Sequence, residues 1–167
     1  MLRILTSTSE LNTDQLMSVY LETNRANGKV FYPDLKDNEQ LKKAENAFLS
    51  YLRESFFRQP GAFYAVWIEG GDYSSALRLE PYKDGYLLTA LETVSEFRRK
   101  GIAFCLITEA LAFLRSKGVK KVYSHVGKRN VASLGVHSKC SFQRISESAT
   151  YIDGTVTQNS CTLCCYL

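Results

Sequence analysis

Apolar residues recur along the chain with two periods, and the switches between them divide it into elements. Leu2 to Leu5 is a short apolar run that suits a first strand. Thr13-Asp14 then reads as a helix start, followed by Leu16, Val19 and Tyr20 at helical spacing. Asn27-Gly28 is expected to end that segment, with Pro33 in a loop from Asn24 to Asp37. A second helix is predicted from Asp37 or Asn38. Leu41, Ala44, Phe48, Leu52 and Phe56 form its buried stripe, Lys42, Lys43, Glu45 and Arg53 face water, and Pro60-Gly61 closes it.

Strand patterns come next. Phe63 to Ile68, Tyr73 to Tyr82 and Tyr86 to Val94 are separated by Glu69-Gly70-Gly71-Asp72 and Lys83-Asp84-Gly85, which reads as an antiparallel meander. A long helix is predicted over Lys100 to Lys117, with Ile102, Leu106, Ile107, Ala110 and Leu114 on one face and Gly118 as its stop. Val119 to Val126 is a strand, Asn130 to Lys139 a short helix, and Phe142–Ile152 with Thr155–Tyr166 a hairpin around Asp153-Gly154. The order α-α-β-β-β-α-β-α-β-β describes one α/β domain of mixed sheet topology over residues 1–167.

Composition narrows the class only a little. Of 167 residues, 45% are hydrophobic and 23% charged, ordinary for a folded soluble domain and unlike a disordered or collagen-like chain. The net charge of +4 suits an anionic small molecule better than nucleic acid, which needs a concentrated basic face. No apolar run approaches the roughly 20 residues of a membrane span. With five cysteines and no export signal, the expectation is a cytoplasmic protein with free thiols. Cys161-x-x-Cys164-Cys165 invites a zinc reading, but a structural zinc site needs two separated ligand pairs, so no metal is expected and core packing is preferred.

Location changes what the charge means. In Thr93-Val94-Ser95-Glu96-Phe97-Arg98-Arg99-Lys100-Gly101-Ile102-Ala103, three consecutive cations stand where a strand ends and a long helix begins. Cations at a helix N-terminus oppose its dipole, so they do not serve helix stability. Helix-start N–H groups lack partners, and glycine lets an anion approach the backbone. The segment therefore reads as an anion site. It contains neither a P-loop nor a dinucleotide fingerprint.

Arg98-Arg99-Lys100-Gly101-Ile102-Ala103 resembles the Arg/Gln-x-x-Gly-x-Gly/Ala signature of the GNAT superfamily of acetyl-CoA-dependent N-acetyltransferases. Asn130 to Phe142 is similar to that superfamily's Asn-x-x-Ala/Ser…Tyr/His…Gly-Phe motif, and the two stand in the right order. The resemblance implies a mixed, mostly antiparallel sheet of six to seven strands flanked by about four helices. It implies acetyl-CoA as cofactor, with its pyrophosphate on the backbone of Arg99 to Ala103. Thr93 and Val94 would border the pantetheine arm, and Arg98, Lys100, Gly101 and Ile102 belong to the same loop. Asn130 and Ser133 would complete the coenzyme site.

The implied reaction is direct acetyl transfer to a primary amine of a small molecule or peptide, in a ternary complex. His137 occupies the place of the superfamily's tyrosine and is the candidate acid for the leaving thiol. The superfamily's strand glutamate would fall near Leu87 and Leu88. Glu92, the only carboxylate between Tyr86 and Val94, is therefore the candidate base. Ser141 replaces the common glycine before Phe142, and Ser95 the common loop proline. Acceptor contacts are expected from Tyr20, Phe31, Tyr32 and Asp34, or from Tyr151 and Asp153 in the tail. The alternative is a non-catalytic module that binds acyl-CoA. No nucleic-acid or membrane partner is expected, and the oligomeric state is left as monomer or homodimer.

Overall fold

The computed structural model describes residues 1–167. Strand β1 (Leu2–Leu5) leads into helices α1 (Thr13–Val19), α2 (Leu21–Phe31) and α3 (Asp37–Glu54). The meander is β2 (Phe63–Glu69), β3 (Asp72–Tyr82) and β4 (Gly85–Thr93). Then come α4 (Ile102–Ser116), β5 (Lys121–Gly127), α5 (Val131–Lys139), β6 (Gln143–Ser146), β7 (Ala149–Thr150), β8 (Val156–Thr157) and β9 (Ser160–Tyr166). Seven strands form one sheet in the order β1-β2-β3-β4-β5-β9-β6, in which only β4 and β5 run parallel. The expected single mixed sheet is present, with five helices. No helix is long and apolar enough to cross a membrane.

Each sheet face carries its own core. Leu106, Ile107, Ala110 and Leu114 of α4 cover Ala65, Leu77, Leu79, Leu88 and Val122. On the opposite face, Leu16, Val19 and Tyr20 with Leu52 and Phe56 cover Leu5, Tyr64, Val66 and Ala76. The cysteines of β9 follow strand alternation: Cys161 and Cys165 join the α4 core, whereas Cys164 packs with Tyr82, Leu87 and Tyr123 on the other face. All are free thiols.

The expected loop at 24–37 is wrong in its first half, which is helical to Phe31. Gly28 is not a stop. A Cβ there would lie 2.7 Å from the Gln40 carbonyl oxygen, so the glycine is where α2 and α3 cross backbone to backbone. The real break falls earlier, at Tyr20, between α1 and α2.

Two irregularities in β4 shape the sheet around it. Ala76 pairs with Glu92 and Arg78 with Thr89, so two residues of β4, Ala90 and Leu91, oppose Leu77 alone. This is a β-bulge, with Ala90 in the left-handed region at φ 52°. Second, β4 pairs with β5 only over Tyr86–Leu88. The Ser124 hydroxyl donates to the Leu88 carbonyl (3.1 Å), and beyond that the two strands part.

Candidate active site

The parted strands open a cavity of about 760 Å3 between the C-terminal half of β4, the start of α4 and α5. Its floor includes Leu91, Glu92 and Thr93, and its mouth Arg98, Arg99, Gly101, Ile102 and Ala103. Asn130, Ser133 and Lys139 form the opposite wall. Glu92 is the only carboxylate in the lining, against the cations Arg98, Arg99 and Lys139.

The mouth is a nest of free donors. Helix α4 begins with Gly101 as its N-cap at φ 82°, and Arg99 is also left-handed at φ 61°. The first α4 bond runs from the Cys105 N–H to the Gly101 carbonyl (3.0 Å), so the N–H groups of Ile102, Ala103 and Phe104 have no helical acceptor. Those of Arg99, Lys100 and Gly101 donate to no backbone carbonyl either. Open space surrounds the position of a Cβ on Gly101. Convergent N–H groups, a helix dipole and flanking cations suit a pyrophosphate. The unpaired edge of β4 beyond Leu88 offers main-chain partners to an extended amide-bearing arm. The residues present therefore fit coenzyme A.

The expected site residues separate into two groups. Glu92, Thr93, Arg98, Arg99, Gly101, Ile102, Ala103, Asn130 and Ser133 line the groove. Lys100, Val94 and His137 do not. Lys100 sets its Nζ over the Phe97 ring at 5.4 Å. Val94 turns into the α1/α3 core. Arg98 acts as a fastener: its Nε donates to the Thr93 carbonyl (2.8 Å) and a terminal nitrogen pairs with Glu22 of α2 (2.8 Å). Asn130 caps α5 by accepting from the Ser133 N–H (3.0 Å).

His137 departs most from expectation. It is 1% exposed and packed edge-on against Phe142, 5.0 Å between ring centres. Its Nδ1 lies 2.8 Å from the Ser133 carbonyl oxygen, an acceptor only, so Nδ1 carries the proton. Nε2 is buried with no partner. Burial holds the imidazole below its usual range, only partly offset by the Ser133 bond. The ring is therefore a neutral packing group behind the groove wall, one turn of α5 away from the groove-lining Ser133.

That depression sets a pH dependence. As the pH drops through 6.5 the unfolded chain takes up a proton on His137 before the folded protein does, so the unfolded state binds more protons and stability decreases as the pH is lowered. The slope from this one residue is at most about 1.4 kcal/mol per pH unit. Urea midpoints at pH 7.5 and 5.5 will show a larger loss for the wild type than for His137→Gln. Parallel losses would remove the buried neutral histidine from the account.

A second cavity of about 380 Å3 opens on the other side of β4, between α1, α2 and α3. Tyr20, Phe31 and Tyr32 line it as the sequence suggested, whereas Asp34 does not. Tyr151 stacks against His125 instead, centres 5.1 Å apart. Phe48 and Tyr51 of α3, and Arg78 of β3, complete the lining. These were missed because α3 reads as a packing stripe and Arg78 as one polar position in a strand. Tyr20 is buried, which raises its phenol well above the usual range, and it donates to the Ala90 carbonyl (2.6 Å), clamping the bulge.

Glu92 belongs to both cavities. The bulge explains why. Leu88 points into the α4 core, and by strict alternation residue 92 would lie on the same face. The extra residue shifts the phase. Leu91 packs toward α4, while Ala90 joins the opposite core and Glu92 turns with it. There the Thr23 hydroxyl of α2 donates to the Glu92 carboxylate.

Known proteins share this fold. The pattern of the acetyltransferase (GNAT) family matches residues 18–142. The PaiA N-acetyltransferase of Thermoplasma acidophilum, solved with coenzyme A, superposes with a TM-score of 0.66 at 14% identity, covering 100% of this chain and 99% of that one. IAA acetyltransferase from Bacillus cereus gives 0.62 at 14% identity, covering 100% of both chains. The ribosomal-protein-S18-alanine N-acetyltransferase of Escherichia coli gives 0.60 at 15% identity, covering 99% and 94%. No curated protein matches by sequence. A family pattern spanning most of the chain, over a split sheet with a donor-lined groove, establishes that this protein belongs to the GNAT family of acetyltransferases.

Proposed function

We propose that the protein transfers an acetyl group from acetyl-CoA directly to a primary amine, with both substrates bound at once. The observation that carries this reading is that one carboxylate, Glu92, lines both cavities. An amine in the smaller cavity and a coenzyme in the groove would both have the Glu92 carboxylate as a neighbour.

Bound acetyl-CoA supplies a thioester whose C–S bond breaks as the new C–N bond forms. The chain's own groups do the rest. Glu92 takes the proton the amine must lose, directly or through a water, and the Thr23 hydroxyl fixes its orientation. Main-chain groups on the unpaired edge of β4 stabilise the carbonyl oxygen as charge grows on it. Ser133 serves the departing sulfur. The His137 Nδ1–H lies 2.8 Å from the Ser133 carbonyl and 3.3 Å from its Oγ, so the hydroxyl is an acceptor toward the ring and keeps its own proton for the groove. In this reading His137 is a positioning residue that acts through Ser133.

The test is coenzyme release from acetyl-CoA over a panel of amines, with both substrate concentrations varied. Intersecting reciprocal plots and one acetylated amine per free thiol are expected. Parallel plots would replace direct transfer with an acetylated enzyme. Acetyl-CoA binding with no thiol released from any amine would favour the non-catalytic acyl-CoA-binding module.

A further inference from the structure

The smaller cavity holds a guanidinium without an anionic partner. Arg78 sits on the β3 face opposite α4, in phase with Ala76 and Glu80. Its guanidinium carbon lies 5.1 Å from the centre of the Tyr51 ring and 5.6 Å from that of Phe56. Its Nε is buried without a hydrogen-bond partner. It joins none of the protein's ion pairs, which are Arg98–Glu22, Lys121–Asp84, Lys128–Glu147 and Arg144–Glu147. Glu80 shares its strand face but forms no ion pair with it and lies outside the cavity lining. Aromatic stacking offsets part of the cost of a half-buried cation, but leaves the Nε donor unused. Arginine's planar fork matches a carboxylate, and such an unfilled fork in a cavity wall is a binding group awaiting its anion.

The position within the cavity sets the shape of the ligand. Glu92 pairs across the sheet with Ala76, and Arg78 is two positions further along β3 on the same face. Two strand positions span about 7 Å. Between and around the two charged groups stand Tyr20, Phe48 and Tyr51, an aromatic lining. The cavity thus offers an anionic end at Glu92, an apolar middle and a cationic end at Arg78.

We propose that the amine acceptor carries a carboxylate, separated from its nitrogen by an apolar spacer, and that Arg78 binds this carboxylate as the specificity determinant. The inference rests on the assignment of the smaller cavity as the acceptor site. The amine lies at Glu92, which lines both cavities, and the carboxylate is held by the guanidinium of Arg78. Acceptors with an amide, ester or methyl group in place of the carboxylate leave the fork unfilled.

The experiment compares matched pairs of probes: 6-aminohexanoate with 6-aminohexanamide, and phenylalanylglycine with its C-terminal amide. Two readouts are taken on wild type, Arg78→Met and Arg78→Lys. One is kcat/KM by thiol release from acetyl-CoA. The other is calorimetric affinity for the coenzyme A complex, which needs no turnover. Wild type is expected to prefer the acid of at least one pair by about tenfold or more in either readout. Arg78→Met should bring that ratio to about one, and Arg78→Lys should restore part of it. An acid-to-amide ratio near one in wild type overturns the proposal, as does a preference that survives in Arg78→Met. So does failure of all four probes to bind or react. An unchanged acetyl-CoA thermal shift in the variants shows that the fold and the coenzyme groove are intact. Arg78-dependent binding of the acid without thiol release would keep the ligand class and defeat the transfer reaction instead.

Discussion

Gly101→Glu will abolish coenzyme binding. Acetyl-CoA at about 100 times its Kd stabilises a protein by about 2.7 kcal/mol, so the wild type will show a clear rise in Tm and the variant none. Three effects add at this position. The backbone is left-handed at φ 82°, which costs a residue with a Cβ about 1–2 kcal/mol. The side chain fills the open space through which an anion reaches the free N–H groups of Arg99 to Phe104. Its carboxylate also repels the pyrophosphate, by about 4 kcal/mol at 4 Å and an effective dielectric of 20. Gly101→Ala separates these effects, since it carries only the backbone strain and will keep most of the acetyl-CoA shift. A normal shift in Gly101→Glu would mean that the coenzyme phosphates bind elsewhere.

Glu92→Gln will lower kcat by about 10²–10⁴, the usual contribution of a positioned base. That corresponds to about 3–5 kcal/mol of barrier. The amide keeps the size of the carboxylate, and its oxygen can still accept from Thr23, so the junction keeps its shape. Coenzyme affinity should stay the same because the phosphate nest lies at the other end of the groove. A kcat within about threefold of wild type would assign proton removal to solvent and leave Glu92 as a wall of the junction.

The long helix was legible because it buries one regular stripe, and the meander because turn residues mark off its strands. The coenzyme groove was legible for a different reason. A helix N-terminus is local, so Gly101, Arg99 and Asn130 announce their roles within a few residues of sequence. The smaller cavity was not local. It needs α3 laid across α2 at Gly28, a crossing that reads as a helix stop because a glycine at a close approach and a glycine at a cap look alike in one dimension. Arg78 had no signal, since a cation in a strand is ordinary and its missing partner is visible only in three dimensions. Glu92 was found by elimination as the one carboxylate in its strand. The phase shift at Ala90 that turns it toward the smaller cavity was hidden because a bulge leaves no fixed residue signature. His137 is the opposite case: a motif position suggested a role in the groove, but the side of α5 it occupies depends on packing against Phe142.

The bulge at Ala90 gives the strand a parity. Which chamber a side chain enters depends on whether an even or odd number of residues separates it from the Gly85 turn, and the extra residue changes odd to even halfway along. Substitution scans of β4 vary chemistry at fixed parity and are blind to this property. A one-residue deletion at Ala90 changes no functional group, yet it would send the carboxylate at Glu92 into the apolar layer under α4 and bring Leu91 out in its place. Insertions and deletions, usually treated as damage to strands, are here the operations that act on the arrangement the chemistry depends on.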